Sequence, residues 1–413
     1  MDIIIVTNSP GEIAGWVMPV VKELNLEFKN IEHRIIVFIP HCEYASGSEK
    51  IIAGTIPGVD HVFGPREHLN FLFFNKSIKN GFSKKGILIH LGSDYMNSVL
   101  IARRLSYPTF VYAYDIGIFN QRFFKKIFVA DNRSADKLTK KGIDPKKIEV
   151  AGNLVADSVN PVITRDELRA RLGFSEKDFV VGIFPGSRPY QIKYMTPFFL
   201  KCAEILFSQF PNLKFILSKP AFISLEKLKD TVENFESSSV LEGVQARIND
   251  NIIKTKNGTE VKLLSEMPYE AINICDIIMT IPGTNTAQIA ALSCPMVVAG
   301  PLNKMDEIPL DGIAGYIQYI PFFGRSLKRF LVKKFSDSIK WTALPNHRAE
   351  EEIVPEVRGI LKPADISVVV AGLIEDPQKL RMISEKLKEI TGIKGAGSKI
   401  AKTIYSFFVE NLS

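Results

Sequence analysis

The strongest constraint in this sequence is a rhythm that runs through it twice. Short, mainly apolar runs, rich in β-branched side chains, alternate with segments of helical spacing. The first series is 3–6, 35–39, 87–91, 109–114, 127–130 and 148–151; the second is 180–184, 214–218, 261–264, 276–281 and 295–299. Several of these runs are apolar throughout, with no alternation, which predicts parallel strands covered on both faces. Amphipathic stretches such as 166–172 and 197–210 stand between or before them. The pattern predicts two doubly wound α/β domains.

A break falls near Asn160-Pro161, followed by Thr164-Arg165-Asp166-Glu167, a helix start. The expected division is 1–160, 161–375 and a helical tail over 376–413 that packs across the domains. Paired α/β halves of this kind hold a ligand in the crevice between them, at the carboxyl ends of the strands. A chain of 413 residues is long for one core, and 46% apolar with 23% charged residues excludes a disordered or fibrous class. The opening Met1–Thr7 reads as a buried strand, not a signal peptide, and no apolar run is long enough to span a bilayer. Cys42, Cys202, Cys275 and Cys294 lack metal or redox spacing and read as buried thiols in a reducing, cytoplasmic compartment. Asn257-Gly258-Thr259 then reads as a hairpin turn. The net charge of +7 calls for an anionic partner, a phosphate group, acidic lipid or nucleic acid. No nucleic-acid-binding signature accompanies it, and nucleic acid is set aside. The segment Gly392–Lys399 has neither the spacing nor the preceding strand of a P-loop.

Two loops carry the chemistry. Pro185-Gly186-Ser187-Arg188 directly follows the strand 180–184. A small, polar turn there aims backbone N–H groups at a phosphate, and Arg188 adds a positive fork. A tight turn with a surface arginine is the plainer reading, and from this segment both are open. Pro282-Gly283-Thr284-Asn285-Thr286 follows 276–281 with the same logic. Glycine admits close approach of the backbone, the threonines offer hydroxyls or a cap, and Gln288 stands one turn on, within reach of a ribose hydroxyl. Two such loops in one domain weigh against coincidence.

Together with four further stretches, these loops resemble the lipid-A-disaccharide synthase family, inverting glycosyltransferases of the GT-B fold. Gly11-Glu12-Ile13-Ala14-Gly15 is similar to that family's N-terminal turn, and Val150–Asp157 to its segment before the second domain. Pro185–Arg188 with Ile192 resembles its Pro-Gly-Ser-Arg loop. Pro282-Gly283-Thr284 through Cys294–Val298 resembles its Ser-Gly-Thr element, and Leu344-Pro345-Asn346 with Ile353–Glu356 its Leu-Pro-Asn and Val-Pro-Glu. Trp16 stands where the family has aspartate, Asn153 and Leu154 replace His-Pro, and Gln191 and Gln288 replace glutamates. A glutamine keeps the carbonyl acceptor and loses the charge.

The resemblance implies two Rossmann-like domains facing a central cleft, with C-terminal helices. It implies a UDP-activated acylated glucosamine in the second domain, attacked by the 6-hydroxyl of an acylated glucosamine phosphate to give a β-linked disaccharide and UDP. It further implies donor contacts at Gly186, Ser187, Arg188, Gly283, Thr284, Asn285, Thr286 and Gln288, and acceptor-side contacts at Gly11, Glu12, Asn97 and Arg122. The resemblance points to Asp94 in His90–Asn97 as the base, with Asp115 and Glu12 as the other candidates; a helix-capping aspartate is the competing reading of Asp94. Asn120-Gln121-Arg122 faces an acceptor phosphate or solvent, and His90 sits beside the base or is structural. No cofactor or metal is expected. Another UDP-sugar enzyme, an N-acetylglucosaminyltransferase or epimerase, is the alternative within the class; a non-catalytic nucleotide-sugar or lipid-binding protein is the alternative outside it.

Finally, Ile313–Gly324 is strongly apolar and Arg325–Phe335 interleaves aromatics with five basic residues. That pattern fits an interfacial segment on an anionic membrane or a core helix with one basic face. The expectation is peripheral contact with the inner face of the cytoplasmic membrane through 313–335, with a homodimer left open.

Overall fold

The structure, a computed structural model, describes residues 1–7, 10–41, 49–73, 81–92, 95–113, 116–220, 223–238, 240–305, 332–334 and 338–412. They fall into two compact units, Met1–Ser158 with Gly392–Ser413, and Val159–Thr391.

In the first unit β1 (Asp2–Val6), β2 (Arg34–Phe38), β3 (His61–Phe63), β4 (Gly86–Leu91), β5 (Thr109–Tyr112), β6 (Lys126–Val129) and β7 (Ile148–Val150) form one sheet. Its order is β3-β2-β1-β4-β5-β6-β7, and every pairing is parallel. The apolar runs become its central strands because both faces are covered: β1 and β4 are buried along their whole length. Asp2 pins the amino end of the sheet, accepting from Arg34 at 2.9 Å and from the Ser83 N–H at 2.6 Å. The terminal helix Ala396–Asn411 packs on helix Met18–Glu27, where a Cβ at Gly397 would stand 3.0 Å from the Pro19 carbonyl oxygen. Asp157 caps this last helix, accepting from the N–H groups of Gly395 at 2.6 Å and Gly397 at 2.8 Å. The neighbouring helix Pro377–Thr391 lies in the second unit.

The second unit holds β8 (Val180–Phe184), β9 (Lys214–Lys219), β10 (Ala246–Asn249), β11 (Ile252–Thr255), β12 (Glu260–Ser265), β13 (Ile277–Thr280), β14 (Met296–Pro301) and β15 (Glu356–Gly359). Their order is β10-β11-β12-β9-β8-β13-β14-β15. The β10-β11-β12 edge is antiparallel and the remainder parallel. The expected hairpin joins β11 to β12: Gly258 has φ 92°, and Asn257 Oδ1 accepts from the Thr259 N–H at 3.1 Å. Thr164 opens helix Arg165–Arg171 by accepting from the Glu167 N–H at 3.3 Å. Buried Arg169 and half-buried Arg165 both reach Asp276, at 2.8 and 2.6 Å, which fixes the entry to β13.

Three strands escaped the sequence pattern. β3 is three residues long, β10 alternates buried and exposed residues, and β15 has no fully buried residue. The helix expected over 197–210 instead runs Pro189–Gln209. Pro189 occupies its first turn, where no N–H is needed, and Pro197 lies inside it. No described helix is long and apolar enough to cross a membrane.

Candidate functional site

The second sheet reverses direction between β8 and β13. From β8 the chain steps to β9 on one side, and β13 is later added on the other. The loops after these two strands therefore stand side by side at the carboxyl edge, the place where open α/β sheets bind ligands. Thr280 lies opposite Phe184 in the register, and its hydroxyl donates to the Phe184 carbonyl at 3.1 Å. The sequence placed phosphate contacts on both loops, and the fold brings them together.

Each loop depends on its glycine for a different reason. Gly186 has φ 103°, and a Cβ there would meet Gln191 Oε1 at 2.5 Å and Ile281 Cδ1 at 2.6 Å. Gly283 has φ 144° with nothing within 4 Å of a Cβ, so only its backbone conformation requires glycine. It is the N-cap of helix Thr284–Ala291, as Arg188 is of helix Pro189–Gln209, so two helix starts meet at one edge.

Hydrogen bonding revises which groups face a ligand. Gln191 Oε1 accepts from the N–H groups of Ser187 at 3.1 Å and Arg188 at 3.0 Å. The amides expected to cradle phosphate are held by this side chain, three residues into the helix. A carbonyl oxygen suffices for that task, so glutamine serves where the family has glutamate. Thr286 is also reassigned: it is buried, donates to the Gly283 carbonyl at 2.8 Å and accepts from the Leu344 N–H at 3.1 Å. Gly283 and Thr284 are exposed; Ser187, Arg188, Asn285 and Gln288 are half-buried.

Asn346 and Glu356 build the support beneath this edge. The Asn346 amide donates to the Val354 carbonyl and to Glu356, both at 2.8 Å, and its Oδ1 accepts from the N–H groups of Ile353 at 2.8 Å and Val354 at 2.9 Å. Glu356 accepts from the N–H groups of Thr342 at 2.8 Å and Ala343 at 3.0 Å, capping helix Leu344–Ala349. Both were expected to matter through the family pattern; their partners make them structural.

Beside the loops lies a cavity of about 300 Å³ that the sequence reading missed. Pro282 reaches it from the second loop; Tyr190, Gln191, Tyr194 and Met195 line it from helix Pro189–Gln209, and Gly300–Lys304 from the end of β14. Lys304 Nζ stands 5.8 Å from the Tyr194 ring centroid.

In the first unit the switch of strand order falls between β1 and β4. Half-buried Glu12 accepts from the buried Thr7 hydroxyl at 3.3 Å. A Cβ on Gly92 would lie 3.0 Å from Glu12 Oε2 and 3.3 Å from the His90 ring, so these three share one corner. His90 Nδ1 pairs with Ser98 Oγ at 2.7 Å. Gly11 and Asn97 are half-buried, the latter in helix Met96–Leu105. Exposed Arg122 lies with its guanidinium carbon 4.9 Å from the Phe123 ring centroid. Gln121 is structural, accepting from the Asp144 N–H at 2.9 Å and donating to the Ile118 carbonyl at 3.1 Å. Asp94 and Asp115 lie outside the described residues, as does 313–335 apart from 332–334. Trp16, where the family has aspartate, packs edge-on against Tyr112 with centroids 5.4 Å apart. Cys202, Cys275 and Cys294 are buried, and burial pushes each thiol upward, away from the reactive thiolate.

Residues 145–310 match the family model described as lipid-A-disaccharide synthetase. A lipid-A-disaccharide synthase from Geobacter sulfurreducens is 27% identical over 258 residues, 62% of this chain and 56% of the relative. That of Geobacter metallireducens is 31% identical over 151 residues, 37% of this chain and 34% of the relative. The chain thus matches about half the length of the first of these relatives and a third of the second. Among solved structures, the UDP-GlcNAc 2-epimerase from Neisseria meningitidis bound to UDP-GlcNAc aligns over 100% of both chains, with TM-score 0.57 and 14% identity. The S. aureus MnaA–UDP co-structure aligns over 99% of this chain and 97% of that one, with TM-score 0.58 and 13% identity. At such identity the likeness is one of fold. The family match takes in β8, β13 and both glycine loops, and stops short of Asp94, Asn97, Arg122, Asn346 and Glu356.

Proposed function

We propose, from the premise that this chain belongs to the lipid-A-disaccharide synthetase family, that it is a glycosyltransferase using a UDP-sugar donor. The donor is an acylated glucosamine carried on UDP, and the acceptor an acylated glucosamine phosphate. The acceptor 6-hydroxyl oxygen attacks C1 from the face opposite the diphosphate. The C1–O bond breaks, its electron pair stays on the diphosphate, and the hydroxyl proton passes to a base, leaving UDP and an inverted, β-linked disaccharide.

One observation carries the reading: two glycine-dependent loops meet at the switch point of the second sheet, each opening a helix. Helix N-termini and the Arg188 guanidinium favour the negative charge that grows on the departing diphosphate. Gln191 holds the Ser187 and Arg188 amides, so a diphosphate oxygen that takes those amides displaces its carbonyl. Thr284, Asn285 and Gln288 face the rest of the nucleotide in this reading, which requires no metal. Asp94 is the proposed base, with Glu12, at the corner of β1 and β4, the alternative among the described residues. Gly11, Asn97 and Arg122 belong to the acceptor side. The same reading carries work at the inner face of the cytoplasmic membrane.

The test is incubation of purified protein with a UDP-acylglucosamine, with and without lipid acceptor. UDP release that requires the acceptor, with a β-linked disaccharide, is expected. Epimer exchange of the donor without acceptor would sink the transferase reading.

A further inference from the structure

We infer that His90 is a catalytic residue of the proposed transfer, its imidazole Nε2–H holding the attacking hydroxyl while a carboxylate of the same corner takes the proton. The inference rests on the transferase reading and adds to it a residue for which that reading has no task. Position is the first argument. His90 is the polar residue of β4, a strand buried along its whole length, and it pairs with Val6 of β1 and Val111 of β5. That places it at the switch point of the first sheet, one residue from the carboxyl end of the strand. It is 1% exposed. A polar ring in the middle of a sheet carries a desolvation cost that valine or leucine would not.

Geometry is the second. Ser98 Oγ, fully buried on helix Met96–Leu105, stands 2.7 Å from His90 Nδ1. With the Ser98 hydroxyl donating to Nδ1, the ring proton sits on Nε2. A Cβ on Gly92 would lie 3.3 Å from that Nε2 and 3.0 Å from Glu12 Oε2. Gly92 is not among the glycines with positive φ, so space rather than backbone conformation calls for glycine there. One small space is thus bounded by a ring nitrogen and a carboxylate oxygen. The carboxylate is held in turn: the Thr7 hydroxyl donates to Oε2 at 3.3 Å, and the Thr7 N–H donates to the Phe38 carbonyl at 3.1 Å. Tyr95 stands edge-on to the imidazole, ring centroids 6.5 Å apart, and its hydroxyl accepts from the Asn120 amide.

A hydroxyl that enters this corner meets a donor and an acceptor together. Its oxygen accepts from Nε2–H, which leaves its own O–H to point at the carboxylate, Asp94 or Glu12. The oxygen's lone pair forms the bond to C1, the O–H electron pair stays on oxygen, and the proton goes to the carboxylate. The imidazole ends with the proton it began with. Its work is to fix the attacking oxygen, where a misplacement of about 1 Å costs about a hundredfold in rate.

The experiment compares two substitutions that each keep one ring nitrogen's function. Glutamine sets an amide N–H near the place of Nε2, asparagine near that of Nδ1. Acceptor-dependent UDP release from a UDP-acylglucosamine is measured on the full chain, with UDP affinity and thermal unfolding alongside. His90→Asn should lower kcat by about ten- to a hundredfold with UDP affinity unchanged, and His90→Gln should recover it to within about threefold of wild type. The reverse order, turnover kept by His90→Asn and lost by His90→Gln, would make the ring a partner for Ser98 alone and overturn the inference. Full turnover in both variants overturns it too. Should His90→Asn fail to fold, Gly92→Ala tests the same space: a loss of about tenfold in kcat/KM for the acceptor is expected, with UDP affinity unchanged. Wild-type kinetics in Gly92→Ala would contradict the inference. A wild-type chain that releases no UDP with acceptor present removes the transferase reading itself, a failure that needs no variant to be seen.

Discussion

The two sheets reverse direction in the same way, and they equip their switch points differently. In the second unit the corner is made of backbone: glycines with positive φ, two helix starts and a glutamine that closes on two amides. In the first unit the corner is made of side chains: Glu12 bonded to Thr7, with His90 and the edge of Gly92 beside it. Backbone dipoles hold a fixed anion whatever the sugar attached to it. Titratable side chains hold or move a proton. In the proposed function one unit supplies an anion seat and the other an acid–base corner, the division of labour that sugar transfer from a diphosphate needs.

The comparison breaks most easily at the proton. Asp94→Asn should lower turnover by about a hundred- to ten-thousandfold with UDP affinity intact, measured as UDP release with acceptor. If Glu12→Gln produces that loss and Asp94→Asn does not, the base moves to the described carboxylate. Next comes the frame of the anion seat. Asn346→Ala removes four hydrogen bonds in a fully buried position and should destabilise the second unit by about 2–4 kcal/mol, read by denaturant unfolding. Arg188→Ala should weaken UDP by roughly ten- to a hundredfold, the worth of a charge-assisted contact, by calorimetry. Gln191→Ala should cost about 1 kcal/mol as a lost helix cap. It should leave UDP affinity equal or tighter, since the two amides no longer have a competing acceptor.

The smallest effect belongs to the first unit. Among the described residues buried His68 has no hydrogen-bond partner on either ring nitrogen, and burial lowers its pKa below 6.5. Between that lowered value and 6.5 the unfolded chain holds the extra proton, so stability falls as pH drops through this window and is flat above it. His68→Phe should remove the slope in pH-resolved urea titrations.

Legibility followed burial and reach. β1, β4, β8 and β14 were readable because a strand covered on both faces is written as a continuous apolar run. β10 and β15 carry Arg247 and Arg358 on partly exposed edges, where that signal fades. Pro197 read as a helix start, yet it lies within a helix opened by Pro189. The glycine loops were visible as residue types after strands. The roles of Gln191 and Thr286 were not: one reaches back three residues, and the other binds the N–H of Leu344, 58 positions away. Asn346 and Glu356 were singled out by the family pattern alone, and the bonds that make them part of the frame run to residues 7 to 14 positions away. The cavity was invisible, since its wall gathers from helix Pro189–Gln209, β14 and β15, which are distant in sequence.

The anion seat itself is tested most directly by titrating UDP into isotope-labelled protein and following backbone amide shifts. The largest changes should fall on Ser187, Arg188, Thr284 and Asn285, with Arg188→Ala reducing them. Saturation that leaves those amides unmoved, or shifts confined to the first unit, would contradict the account.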